Sequence, residues 1–496
     1  MAKTCAELFS QIDCTIIGNA DEPIEGIAYR SDKVKPGDAF FCIVGKVTDG
    51  HSFAQDAINH GAKVLVVERK LYLADATDVT EVVVSDSRKA MAAAAAAFND
   101  FPSTKFSLVG ITGTNGKTTT TYLVNHIASE AGMKTGIIGT VGVIADGTLE
   151  KTANTTPESS DLQALLGRMA QNDRSVVAME VSSHALDLLR TWGCHFAVTA
   201  FTNLTQDHLD YHHTFEEYFE AKALLFGKDY PSKRVICIDD KWGKELLRRC
   251  SSAGDDIITT GFEKSAQIHP EEVEYFQTHT RVKLYACGSV YDFDYPLVGK
   301  FNVSNMMTAF GIALSLGITA HNIIASFKKP VFVPGRLQRV HTAHDGGVSI
   351  FVDYAHTPDA LEKALSAVKA LSDNRTIVVF GCGGDRDATK RPLMGKAALA
   401  ADYVVVTSDN PRTEDPQAII RDIVAGMGEP AGHYEVEADR RAAIARAIAL
   451  AKPGDSILVA GKGHEDYQLV AGRVLQFDDA VVAAEELERA FGAQQP

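Results

Sequence analysis

The stretch Val109-Gly-Ile-Thr-Gly-Thr-Asn-Gly-Lys-Thr-Thr119 sets Gly113, Thr114, Asn115 and Gly116 ahead of Lys117, Thr118 and Thr119. Such glycines let backbone N–H groups curl around an anion. A lysine just beyond them reaches terminal phosphates, and the next hydroxyl can ligate Mg²⁺. The apolar run Phe106-Ser-Leu-Val-Gly-Ile111 predicts a strand entering the loop. Thr120-Tyr-Leu-Val-Asn-His-Ile127 predicts a helix leaving it, whose N-terminus adds positive charge. The combination points to a nucleoside triphosphate with Mg²⁺. It departs from the usual loop, which has four residues between its glycines, because Gly113 and Gly116 enclose two.

Two further stretches bring oxygen ligands and imidazoles to strand ends. Val177-Ala-Met-Glu-Val-Ser-Ser-His184 reads as a buried strand ending at Glu180, and a carboxylate there suits Mg²⁺. The run Phe196-Ala-Val-Thr-Ala-Phe-Thr-Asn203 leads into Asp207-His-Leu-Asp-Tyr-His212, a cluster of carboxylates and imidazoles that includes His208. Zinc is weakly supported without cysteines or an HExxH spacing, and a histidine-rich surface loop is the plain alternative. Tyr218-Phe-Glu-Ala-Lys-Ala-Leu-Leu-Phe226 predicts an amphipathic helix on which Lys222 is an ordinary solvated residue.

Later in the chain, Gly381-Cys-Gly-Gly-Asp-Arg-Asp387, Asp409-Asn-Pro-Arg412 and Gly461-Lys-Gly-His-Glu465 each follow an apolar run, so they should line one edge of a sheet. Asp409, Asn410 and Arg412 offer an acceptor, an amide and a fork-shaped cation, stiffened by Pro411. A capped turn before a helix at Pro416 explains the proline but not the coincidence with Arg386 and Glu465.

The elements that position these groups alternate between apolar runs and amphipathic segments to about residue 330, predicting a parallel sheet with crossover helices. Val331-Phe-Val-Pro-Gly335 breaks the pattern. A second α/β series follows at Ser349-Ile-Phe-Val-Asp353, Thr376-Ile-Val-Val-Phe380, Tyr403-Val-Val-Val406 and Ser456-Ile-Leu-Val-Ala460. With Phe101-Pro-Ser103 read as a linker, the expectation is an α/β chain of three domains over 1–100, 101–335 and 336–496. A formal charge of -15 argues against a general binder of nucleic acid or anionic membrane. Scattered cysteines without a CxxC pair fit reduced thiols, and the lack of an apolar run of about 20 residues fits a cytoplasmic protein.

Thr112-Gly-Thr-Asn-Gly-Lys-Thr-Thr119, Met179-Glu-Val-Ser-Ser-His184, Thr202-Asn203 with Asp207-His-Leu-Asp210, and the helix carrying Lys222 together resemble the Mur ligases. These are ATP-dependent amino-acid ligases of peptidoglycan precursor synthesis. The resemblance covers essentially the whole chain. It implies a small α/β UDP-substrate-binding N-terminal domain, a central P-loop ATP-binding domain with a parallel sheet, and a C-terminal Rossmann-like amino-acid-binding domain. A monomer is expected.

Residue by residue, the resemblance implies that Gly113 to Thr119, Asn302, Asn305 and Arg336 bind the nucleotide. It implies that Thr118, Glu180, His208 and a carbamylated Lys222 hold Mg²⁺, with Lys117, His208 and Lys222 catalytic. Asn154-Thr-Thr-Pro157 and Ser182-Ser-His-Ala-Leu-Asp-Leu-Leu-Arg190 resemble muramoyl-dipeptide-binding segments, giving Asn154, Thr155, Thr156, Ser182 and Arg190 that role. Ser31 and the Gly45-Lys-Val-Thr-Asp-Gly-His51 loop resemble a uridine-binding region, although the family usually has Asp-Ser-Arg where this chain reads Arg30-Ser-Asp32. Asp409-Asn-Pro-Arg412 is similar to the family's signature for meso-diaminopimelate, implying that Arg386, Asp409, Asn410, Pro411, Arg412, Gly461 and Glu465 bind that amino acid. Diaminopimelate differs from lysine by a second amino-acid head, whose carboxylate Arg412 and Arg386 can grip bidentately. Lysine would leave the arginine unpaired.

The implied reaction forms an amide on UDP-N-acetylmuramoyl-L-alanyl-D-glutamate through an acyl phosphate, with domain closure bringing the parts together. Asp353-Tyr-Ala-His356 resembles another ligase strand end, without an assigned step. The rivals are a lysine-adding member of the family, a folylpolyglutamate-type ligase that shares the loop and last two domains, and a regulatory protein that hydrolyses ATP without ligation.

Overall fold

The structure is a computed structural model and describes residues 3–45, 48–71, 78–251, 256–276, 278–428 and 433–492. Lys46 and Val47 of the expected uridine loop lie outside the described residues. The chain divides into two units, one of Met1–Thr112, Gly132–Thr199 and Ala221–Lys233, the other of Gly113–Ala131, Ala200–Glu220 and Arg234–Pro496.

In the first unit, a five-stranded sheet runs in the order Cys14–Ile17, Thr80–Val84, Val64–Val67, Asp38–Phe41, Gly26–Ala28. Val64–Val67 is buried throughout, as expected of a strand covered on both faces. The alanine-rich run is the helix Ser87–Phe98, whose start is capped by the Asp86 side chain accepting the Lys89 N–H. Its small side chains bring Ala90 and Ala94 onto Leu8, Phe9 and Phe41. Ser107–Thr112, Val176–Glu180 and Thr135–Ile138 pair in parallel, with Val176–Glu180 in the middle. Phe101-Pro-Ser103 is not a loose linker. Pro102 and Ser103 are buried in a 3₁₀ turn, and the Ser103 hydroxyl accepts the His195 N–H at 3.0 Å.

The second unit contains a six-stranded sheet in the order Gln338–Arg339, Ser349–Asp353, Ser456–Ala460, Thr376–Phe380, Tyr403–Val406, Tyr434–Val436. All neighbours after the first pair are parallel. Helices cover both faces, one core gathering Leu361, Leu365, Ile420 and Ile423, the other Ile444, Ile448, Val482 and Leu487. Helix starts are written into the sequence: Thr357 caps Pro358–Leu371 and Asp415 caps Pro416–Ala425, each with proline in the first turn.

One region departs from the expected alternation of parallel strands and helices. His269–Tyr275, Thr280–Ala286 and Ser289–Tyr295 form a three-stranded antiparallel sheet. Val282, Leu284, Phe293 and Tyr295 are buried while charged residues such as Arg281, Asp292 and Asp294 alternate with them. That is a period of two, not of a helix. Among the described residues no helix is long and apolar enough to cross a membrane.

Candidate active site

The phosphate loop turns as its glycines dictate. Gly113 and Gly116 have φ of 146° and 87°. A Cβ on Gly113 would lie 1.9 Å from the Thr202 hydroxyl, and one on Gly116 would lie 2.2 Å from Asn305 Oδ1, so only glycine fits either place. Asn203 Oδ1 accepts the Asn115 N–H at 2.9 Å, its amide donates to Asn115 O at 3.0 Å, and Thr205 N–H donates to the Thr114 hydroxyl at 3.0 Å. Thr202 and Asn203 therefore brace the loop, which explains their place in the motif set. The Lys117 ammonium spans the loop mouth, donating to Gly113 O at 2.9 Å and Thr114 O at 2.8 Å. Lys117–Glu130 begins at the end of the loop.

Around this loop, Arg336 Nη2 donates to the Thr118 hydroxyl at 2.9 Å, with its guanidinium 4.8 Å from the Tyr354 ring. Asn302 and Asn305 are buried on the helix Lys300–Ser315, the Asn302 amide donating to Val298 O at 2.9 Å. Asn115 also donates to Asp359 Oδ2 at 2.9 Å, a partner that no sequence motif marked. His208 has a φ of 54° and its imidazole is 3.4 Å from Asp207. Burial raises the Asp207 carboxyl, but His208, His356, Lys390 and Lys117 outweigh it and hold the group below the usual carboxylate range. Burial first, and then Lys390, lower the His356 pKa below the usual imidazole range, and its Nδ1 lies 2.8 Å from Tyr354 O. His213 lies on the surface, as the sequence suggests.

In the first unit, Glu180 is buried at the end of its strand and accepts both the Thr140 N–H, at 2.8 Å, and its hydroxyl, at 3.0 Å. Thr155 Oγ1 lies 3.1 Å from the same hydroxyl. The Thr156 side chain is fully buried, donating to Glu180 O at 2.9 Å and accepting the Ser182 N–H at 3.1 Å, so it braces this turn. Ser182 caps the helix Ser183–Asp187. Arg190 pairs with Glu158 at 2.6 Å and donates to Thr156 O at 3.1 Å. A cavity of about 270 Å³, lined by Asn154, Glu158, Tyr29, Asp161 and Arg168, adjoins these residues. Ser31 begins a short turn flanked by an Arg30–Asp32 ion pair at 2.9 Å, so the reversed order still sets one cation and one anion beside it. Lys222 is only 1% exposed, which corrects the plain reading of a solvated helix residue.

The three C-terminal loops do share one sheet edge. Glu465 accepts the Asn410 amide at 2.7 Å and the Lys462 ammonium at 3.2 Å. Asn410 Oδ1 is held by the Leu469 N–H at 2.8 Å and by Lys462 at 3.4 Å, so its amide orients the glutamate. Lys462 is fully buried, a placement that its sequence motif does not signal. Burial first, and the Asp409 charge, raise the Glu465 carboxyl above the usual range against the pull of Lys462. A Cβ on Gly461 would lie 2.3 Å from Asp409 Oδ2. Arg412 Nη1 donates to Gly384 O at 2.7 Å and Arg386 Nη1 to Asp385 O at 2.9 Å, so both guanidinium groups are anchored on one loop. Pro411 joins Asn410 to Arg412, whose φ is 56°.

Three protein-family models match in order along the chain: the Mur ligase family catalytic domain over residues 23–103, the Mur ligase middle domain over 111–313, and the Mur ligase glutamate ligase domain over 335–463. The chain belongs to the Mur ligase family. This Mur ligase is 44% identical over 472 residues to the UDP-N-acetylmuramoyl-L-alanyl-D-glutamate--2,6-diaminopimelate ligase of Gloeobacter violaceus, covering 95% of each chain. It is 43% identical to the enzyme of that name from Geobacillus kaustophilus, covering 94% of this chain and 95% of the other. A solved structure of a ligase with the same name is 32% identical, with a TM-score of 0.70 and 99% of each chain covered. The three-domain α/β architecture expected of a Mur ligase is thus the architecture of this one.

Proposed function

We propose that this Mur ligase joins meso-diaminopimelate to the D-glutamate of UDP-N-acetylmuramoyl-L-alanyl-D-glutamate, consuming ATP in the cytoplasm. The observation that supports the reading is the C-terminal edge, where Arg412 and Arg386 are held on Gly384 O and Asp385 O and Glu465 meets Asn410 and Lys462. There the two arginines would grip the second carboxylate, and Asp409 and Glu465 the accompanying ammonium. The relatives named for the same reaction support it. The domain boundaries fall at 1–100, 101–335 and 336–496 in this reading, and bind UDP-substrate, ATP and amino acid respectively.

The D-glutamate γ-carboxylate attacks the ATP γ-phosphate, the bond from that phosphorus to the β–γ bridging oxygen breaks and ADP leaves, with Lys117 and Arg336 balancing charge on the transferring group. The bound amine then attacks the acyl phosphate, and the tetrahedral intermediate expels phosphate. The glycine cradle and the hydroxyl and carboxylate oxygens suit Mg²⁺ with ATP, and Thr118, Glu180, His208 and carbamylated Lys222 would hold it. Bound there, Mg²⁺ supplies positive charge to the phosphates. Asn154, Thr155, Ser182, Arg190 and Ser31 serve the UDP-linked substrate, with Thr156 bracing their turn.

Phosphate release with ATP, Mg²⁺ and the UDP-muramoyl dipeptide tests the reading. Turnover is expected with meso-diaminopimelate and not with L-lysine. Turnover with lysine alone would overturn the specificity, and phosphate release without either amine would favour the hydrolase.

Two smaller expectations attach to single residues. Glu465 must be ionised to hold an ammonium, and its pKa is raised. As pH falls through that pKa the KM for diaminopimelate should rise, at a higher pH than for an ordinary carboxylate. The acid limb of kcat/KM should vanish in Glu465→Gln, and persistence of the limb would assign it elsewhere. Lys222 is buried, and a carbamate would change it from a cation into an anion able to bind a metal. Lys222→Ala should be inactive and partly recover with short carboxylic acids. An intact fold with no recovery would point to a structural ammonium.

A further inference from the structure

The guanidinium of Arg440 lies beneath the amino-acid edge, at the start of the helix Arg440–Leu450. It is fully enclosed with Asp479, both side chains 0% exposed. Nε and Nη2 each donate to the Asp479 carboxylate at 2.7 Å. The remaining donors reach two backbone carbonyls, Ala460 O at 3.0 Å and Ser408 O at 3.4 Å. Those residues immediately precede Gly461 and Asp409. Their strands, Ser456–Ala460 and Tyr403–Val406, are not neighbours, because Thr376–Phe380 runs between them. One planar cation therefore ties together the loops on either side of the middle strand. Spacing matters here, because Asp409 Oδ2 occupies the place a Cβ on Gly461 would take.

We infer that Arg440, locked by Asp479, is a positioning residue for amine-substrate recognition, setting the separation of the Asp409 and Gly461–Glu465 loops. It touches no substrate and acts through the two carbonyls. The inference rests on the reading that these loops bind diaminopimelate. An arginine is required because only its fork can hold a carboxylate and two carbonyls together. No motif marks it, since its partners are brought close only by the fold.

The test compares wild type with Arg440→Lys and with the double variant Arg440→Met, Asp479→Leu, which removes both charges and leaves no lone buried ion. KM is measured separately for meso-diaminopimelate, ATP and the UDP-muramoyl dipeptide, alongside Tm. The KM for diaminopimelate should rise at least about tenfold in the double variant and less in Arg440→Lys. The other two KM values should stay within about twofold and kcat within about threefold. An unchanged diaminopimelate KM in a folded variant, or a parallel rise of all three KM values, would overturn the inference. So would loss of folding in both variants, which would make the pair a stability element. Wild type that fails to use meso-diaminopimelate would instead overturn the substrate reading, and the inference with it.

Discussion

Lys117→Ala should lower turnover by at least about 10³-fold, equivalent to about 4 kcal/mol of transition-state stabilisation. The transferring phosphoryl group spreads negative charge over its oxygens, and catalysis of such a step is mostly positioning and charge balance. The Lys117 ammonium sits at the loop mouth, 2.9 Å and 2.8 Å from two loop carbonyls. In the proposed reaction those bonds would hold the lysine where phosphate oxygens arrive, and would be exchanged for bonds to phosphate when ATP binds. The fold should survive, because removing two partly buried hydrogen bonds costs about 1 kcal/mol each. The loop is also braced by Thr202, Asn203 and Thr205, whose bonds remain without the lysine. Phosphate release at saturating substrates, with circular dichroism as the fold control, measures both effects. Near-normal turnover would remove Lys117 from the reaction.

The phosphate loop was legible because its conformation is a local property of glycines between a strand and a helix. The four strands of the C-terminal series were legible for a similar reason: each is a short, mainly apolar run that ends in or leads into Gly, Asp or Thr-Ser, and each is buried on both faces. The antiparallel sheet of residues 269–295 was missed because its outward residues are charged, and an alternating charged run without a strong turn signal reads equally as a solvated helix. Lys222 was misread for a related reason. A lysine on an amphipathic helix is usually solvated, and nothing within one turn says that its side of the helix is covered. Lys462, Asp359 and the Arg440–Asp479 pair were not legible, because their meaning lies in partners up to hundreds of positions away. Asn115 with Asp359 is the extreme case.

The same distinction between local and distant determinants decides what Arg412 should do when changed. Arg412→Ala should raise the KM for meso-diaminopimelate about 10²- to 10³-fold, corresponding to the loss of about 2.7–4 kcal/mol from a charge-assisted, bidentate contact. The KM values for ATP and the UDP-muramoyl dipeptide should move less than about twofold. Arg412 has a φ of 56°, a strained value for any side chain that bears a Cβ. Alanine shares that strain, so the substitution removes the guanidinium without a new backbone cost. The backbone is also held independently, with the Arg412 N–H donating to Leu469 O at 2.9 Å and the Ala471 N–H donating to Arg412 O at 2.8 Å. Arg412→Lys should recover little, because an ammonium cannot donate to Gly384 O and still grip a carboxylate in a plane. Arg412→Gly, which relieves the strain, should raise Tm slightly yet bind diaminopimelate no better than the alanine variant. Discrimination against L-lysine should fall in all three, since lysine has no distal carboxylate to lose. A diaminopimelate KM within about threefold of wild type in Arg412→Ala would mean that Arg386 alone holds the distal carboxylate, and that Arg412 serves the loop through Gly384.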